Sequence, residues 1–148
     1  MQAMDLAGRK TVMVNGQWLK LLINDIGTFI TGLTGNERAQ EFVPTLVKLV
    51  AQVDEVTSGL VLRGQADPDE IGASAVDYLH LLGYFTYAYM WVKQIHACER
   101  DSVTAEFAQA KLETARYYYA KILPTVSALV GKIEAGSAVV MALNEDAF

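Results

Sequence analysis

Phe42-Val43-Pro44-Thr45-Leu46-Val47-Lys48-Leu49-Val50-Ala51-Gln52-Val53-Asp54-Glu55-Val56-Thr57-Ser58-Gly59-Leu60 is the stretch on which the fold turns. Phe42, Leu46, Leu49, Val53, Val56 and Leu60 recur at steps of four, three, four, three and four, the spacing of a helix seam packed in a bundle. Pro44 predicts a kink or a late start in that helix. Upstream, Trp18, Leu22, Ile26, Phe29 and Leu33 lie at the same kind of steps from Gln17 onward, and Thr34-Gly35-Asn36 closes the run. Before it, Met1 to Lys10 has a helical pattern, and Thr11-Val12-Met13-Val14-Asn15-Gly16 reads as a short extended run meeting a turn pair.

Downstream, Gln65-Ala66-Asp67-Pro68-Asp69-Glu70 is the sharpest local signal. Asp67 suits an N-cap, Pro68 the first helical position, and Glu70 the carboxylate of a capping box. The helix it starts is expected to reach about Glu99 and to bury Ile71, Tyr78, Leu82, Phe85, Tyr89 and Val92. Gly72 and Gly83, costly inside a helix, predict points of close backbone approach by a neighbour. Past the polar turn Arg100-Asp101-Ser102, Ala108, Leu112, Ala115, Tyr119, Ile122, Val126, Leu129 and Ile133 alternate steps of four and three. Pro124 predicts a bend in that helix, and Gly136 its cap. The prediction is an all-α, up-down-up-down four-helix bundle with a short N-terminal helical piece.

The 148 residues are 52% apolar and 20% charged, enough for one domain burying roughly 68–70% of its unfolded surface. Twelve Lys and Arg against seventeen Asp and Glu give a net charge of −5, which disfavours nucleic acid as a partner. Tyr78 to Val92, the longest uncharged stretch near the middle, is shorter than the ~20 apolar residues of a membrane span and contains His80 and Thr86. No transmembrane segment is expected. No secretion signal is visible, so a cytoplasmic location is expected. A single cysteine, Cys98, supplies neither an internal disulfide nor a Cys-rich zinc site.

Two pairs have the spacing of metal ligands on one helix, Asp77 with His80 and His96 with Glu99. A di-metal carboxylate site needs such motifs on several helices, however, and the other seams here are apolar. His80 and His96 are also ~24 Å apart along a helix. Surface or hydrogen-bonded histidines are therefore expected, with no metal site. The aromatics Tyr84, Phe85, Tyr87, Tyr89 and Trp91, joined by Tyr117, Tyr118 and Tyr119, point to different sides of their helices, so one face is expected in the core and another at an inter-domain or inter-subunit contact, which suits tyrosine better than a ligand platform. Cys98 sits at the wrong end of a helix dipole for thiolate formation and reads as a packing residue. Gly8-Arg9-Lys10 lacks the rest of a phosphate loop, and no catalytic or cofactor-binding residue is assigned from spacing alone.

Three stretches resemble the C-terminal part of long-form acyl-CoA dehydrogenases, in the methylmercaptopropionyl-CoA dehydrogenase-like branch. They are Gln2-Ala3-Met4-Asp5-Leu6-Ala7-Gly8-Arg9-Lys10; Tyr78-Leu79-His80-Leu81-Leu82-Gly83-Tyr84 with Tyr89-Met90-Trp91; and Ala110-Lys111-Leu112-Glu113-Thr114-Ala115-Arg116-Tyr117-Tyr118-Tyr119 with Leu123-Pro124 and the ending Ile133 to Phe148. The resemblance implies an FAD enzyme that desaturates an acyl-CoA thioester and passes electrons to an electron-transfer flavoprotein. It also implies that the proton-abstracting glutamate would lie about five residues before Met1. Residues 1–15 would then be a remnant of the preceding catalytic-domain helix and linker, and 16–148 a C-terminal bundle that docks on the catalytic body and supports subunit association. Gln2 is the position brought nearest to the flavin edge; read alone, it merely ends a helix. The expectation is a fragment without bound flavin and without activity in isolation. The alternatives are a standalone interaction or oligomerisation module and a ligand- or metal-binding bundle.

Overall fold

Each apolar seam becomes a helix in the computed structural model, which describes residues 1–100 and 102–143. The elements run α1 (Gln2–Met4), a π-turn (Asp5–Arg9), a 3-10 turn (Val12–Val14), α2 (Gln17–Thr31), α3 (Glu37–Gln40), α4 (Val43–Ala66), α5 (Asp69–Ala97), α6 (Ala105–Tyr117), a second π-turn (Tyr118–Ile122) and α7 (Thr125–Glu134). No strand occurs among the described residues. The chain is all-α. Four rods make the bundle: α2, α4, α5, and α6 continued through the π-turn into α7. Of the family-like ending, Asn144 to Phe148 lies outside the described residues, as does Asp101 of the polar turn.

Side-chain pairings fix the rod directions. Arg63 with Glu70, and then Thr57 with Tyr78, recede evenly from the Asp67-Pro68 turn, so α4 and α5 are antiparallel. Lys111 with Gln94, Tyr118 with Tyr84 and Lys132 with Asp77 run the fourth rod antiparallel to α5. Asp25 with Tyr89 and Asn36 with His96 advance together, so α2 is parallel to α5. This is the up-down-up-down order. The core holds Ile26, Leu46, Val53, Tyr78, Phe85 and Ile133, all at most 1% exposed.

Pro44 sits in the first turn of α4, where its missing N–H costs nothing, so the late start is realised and not a kink. Pro124 is absorbed by the π-turn ahead of it. There the Leu123 N–H reaches back to the Tyr118 carbonyl, widening the helix before it resumes at Thr125. Gly136 adopts φ +69° just past α7 and supplies the expected left-handed stop.

Four expectations are corrected. Thr11 to Val14 is not extended. Among the described residues no strand lies beside it to pair with, and it winds into a 3-10 turn, closed by left-handed Asn15 and Gly16, with Val12 buried. Trp18 is 60% exposed, and its neighbour Leu19 takes the core position. Gly72 and Gly83 face open space, whereas an added Cβ on Gly64 would stand 2.9 Å from Ile71 and 3.1 Å from Val12. The capping box does not form either. Asp67 accepts from the Asp69 N–H, but its own N–H is taken by the Arg63 carbonyl, and the Glu70 carboxylate is drawn elsewhere.

That carboxylate closes a clasp between the ends of three helices. Arg63 Nε donates to Glu70 at 2.9 Å and its Nη2 to the Ile133 carbonyl at 2.9 Å, satisfying a carbonyl in the last turn of α7. The Ser137 N–H and hydroxyl both donate to Glu70 at 2.8 Å. The Ser137 N–H first, then Arg63, hold the Glu70 carboxyl below the usual glutamate range.

The clasp makes stability acid-sensitive. Glu70's pKa is depressed on folding, so its contribution is complete above the unfolded pKa and is lost as pH falls through the folded one. Chemical denaturation of the wild type and Glu70→Gln is expected to show a stability gap at neutral pH that closes in strong acid; a pH-independent gap would contradict the clasp. In thermal melts, Gly64→Ala is expected to destabilise by about 1–3 kcal/mol through overpacking, and Gly83→Ala to stabilise by up to about 1 kcal/mol through helix propensity.

Candidate functional site

The N-terminal π-turn lies across α5 and, with the start of α2, encloses a groove of about 500 Å3. Leu6, Leu19, Leu22 and Leu82 wall it, Trp18 stands beside it, and Arg9 and Lys10 line it as well. Its deepest residues are Thr11 and Tyr78, which are 4% and 0% exposed. The Tyr78 hydroxyl shares a hydrogen bond with Thr57 Oγ1 at 3.0 Å. Burial raises the Tyr78 phenol pKa, while the Thr57 and Thr11 hydroxyls work against that shift. The groove's interior polar group is thus neutral and already satisfied.

Arg9 and Lys10 both turn to Asp5, with Lys10 Nζ at 3.2 Å. Arg9 first, then Lys10, pulls the Asp5 carboxyl down to about 2. Two cations and one anion leave a net positive mouth on a chain whose overall charge is −5. Gln2, singled out from the sequence, is exposed at the start of α1.

The outward side of α5 forms a second feature. Val76, Tyr87 and Met90 are 58%, 62% and 41% exposed. Together with His80 and Gly83 they follow one another at steps of four and three along the face opposite Tyr78 and Phe85. A hollow of about 400 Å3 lies among Leu79, His80, Gly83, Tyr84 and Tyr87. Sequence periodicity marked the buried seam of this helix but gave no sign of the exposed one, because α5 is apolar on most of its circumference.

The histidine pairs do not come together. Asp77 faces Lys132 at 3.6 Å, and His96 Nδ1 lies 3.0 Å from Asn36 Nδ2. Asn36 Oδ1 accepts from the Ala39 N–H to cap α3, so its amide presents a donor to His96, whose Nδ1 must accept. Among the described residues no three His, Cys, Asp or Glu side chains gather to hold a metal ion. Cys98 is half-buried and ends α5.

Tyr118, expected at an external contact, turns inward and takes the buried position that the four-three spacing assigned to Tyr119, which is itself partly buried beside it. The π-turn aims their hydroxyls at the Tyr84 and Ala88 carbonyls at 2.8 and 2.9 Å. Tyr89 donates to Asp25 at 2.9 Å. Burial is the main cause that pushes the Tyr89 and Tyr118 phenols up to about 12, and it raises Tyr119 too. These are structural phenols, and only Tyr87 and Tyr117 of the aromatic cluster are strongly exposed.

No helix among the described residues is long and apolar enough to cross a membrane. No curated protein and no solved structure matches the chain. The family described as acetyl-CoA dehydrogenase C-terminal like matches residues 22–144, from within α2 to beyond α7. The seams of α4 and α5, the π-turn that accommodates Pro124 and the exposed face of α5 all fall inside that span, and the chain belongs to the acetyl-CoA dehydrogenase C-terminal-like family.

Proposed function

We propose that this chain is the C-terminal supporting lobe of an FAD-dependent acyl-CoA dehydrogenase that desaturates an acyl-CoA thioester. In this reading residues 1–15 are the tail of the catalytic domain, and the remainder docks on the catalytic body. Family membership supports the enzyme class, and the Gln2 to Lys10 motif supports the methylmercaptopropionyl-CoA dehydrogenase-like branch. The observation that carries the docking role is the outward face of α5, where Val76, Tyr87 and Met90 stay exposed on a helix whose opposite face, through Tyr78 and Phe85, is buried.

The chain's own residues do not fit a flavin. The groove is short and leucine-walled, its inner hydroxyls are paired, and the chain has no glycine-rich phosphate loop. The flavin, the base and electron transfer to an electron-transfer flavoprotein are therefore assigned to the catalytic body, and no step is assigned to a residue here. A second reading, a module that pairs with its own copy, draws on the same four-three spacing of the α5 stripe.

Tyr87→Glu with Met90→Glu separates these roles from the fold. The double variant is expected to keep the helical circular dichroism of the wild type. In sedimentation velocity it should bind the catalytic body at least about a hundredfold more weakly, since two carboxylates would be buried unpaired. Wild-type binding with no loss in the variant would overturn docking through α5, and a wild-type chain that dimerises and ignores the catalytic body would establish the second reading.

A further inference from the structure

We propose that the groove between the N-terminal π-turn, α2 and α5 binds an amphipathic monocarboxylate, with its hydrocarbon tail against Leu19, Leu22 and Leu82 and its carboxylate on Arg9 and Lys10. The volume, about 500 Å3, is in the range of small-molecule sites, and the walls are aliphatic. Tyr78, the deep polar group, is already bonded to Thr57, so the interior asks nothing of a ligand and accepts hydrocarbon without stranding a donor. The mouth is the reverse. Arg9 uses two of its five N–H donors and Lys10 one of three, all on Asp5, and both side chains are more than half exposed.

One carboxylate in reach of two cations leaves room for a second anion and excludes a cationic head group. A ligand with an apolar body and a single negative end matches both halves of the groove. The binding is separate from docking, because Leu82 lies ~140° around α5 from Tyr87.

Trp18 beside the groove is the reporter, in a chain carrying Trp91→Phe so that its emission is seen alone. Decanoate, decan-1-ol and decyltrimethylammonium, each below its micellar range, are the probes. Decanoate is expected to give a saturable blue shift of Trp18 at least about tenfold more tightly than the alcohol, with no saturation by the cation. Lys10→Gln should weaken decanoate by about tenfold and leave the alcohol unchanged. Leu82→Phe, filling the trough, should abolish saturation; should that variant fail to fold by circular dichroism, the Lys10→Gln comparison decides. Equal affinity for acid and alcohol, an unsaturable response, or indifference to Lys10→Gln would each overturn the proposal.

Discussion

A 29-residue helix that is apolar on most sides cannot stand in water, and the arrangement of this protein follows from covering α5. Three rods and the N-terminal turns share the task. Tyr78, Leu81, Phe85, Ala88, Val92 and Ile95 are each at most 1% exposed, so the helix is gripped along nearly its full length. The ends are tied by polar contacts. At one end the Arg63–Glu70–Ser137 clasp joins α4, α5 and the end of α7; toward the other, Asn36 and His96 hold the α3 cap against α5.

The same constraint explains the tyrosines. A phenol packed on a dry helix needs an acceptor, and a helix surface offers carbonyls with a spare lone pair. The π-turn before Pro124 sets Tyr118 and Tyr119 to reach the carbonyls of Tyr84 and Ala88, one turn apart on α5. A proline that interrupts one helix thereby coincides with its polar attachment to another. What stays uncovered, the stripe through Val76, Tyr87 and Met90, is the part of α5 for which the bundle supplies no rod. It is on this stripe that the proposed docking role rests.

The bundle was largely legible because helix periodicity is a local property: four-three spacing at Phe42 to Leu60 places that seam wherever the rods finally pack, whereas in the fourth rod the π-turn shifts the buried positions from Tyr119 and Ile122 to Tyr118 and Leu123. Its misreadings share one cause. Trp18 and Leu19 are neighbours, and only the angle at which α2 meets the bundle turns Leu19 inward and Trp18 out. Gly64, not Gly72 or Gly83, is the tight spot because Val12 and Ile71 meet over it from two different segments. The groove was invisible for the same reason, since Leu6, Leu22 and Leu82 converge from three separate stretches.

By itself the sequence determined the helical class, the Phe42 to Leu60 seam, the turn at Asp67-Pro68 and the stop at Gly136, all of which depend on side chains within a turn or two of one another. The tertiary structure alone decided which partner each polar group takes. Glu70 is claimed by Arg63 and Ser137 in place of its own helix start, and Tyr118 by a carbonyl 34 residues away in place of an outside surface. Hydrophobic spacing is set by the 3.6-residue turn of one helix, whereas a hydrogen bond between helices exists only after their register and crossing have been fixed.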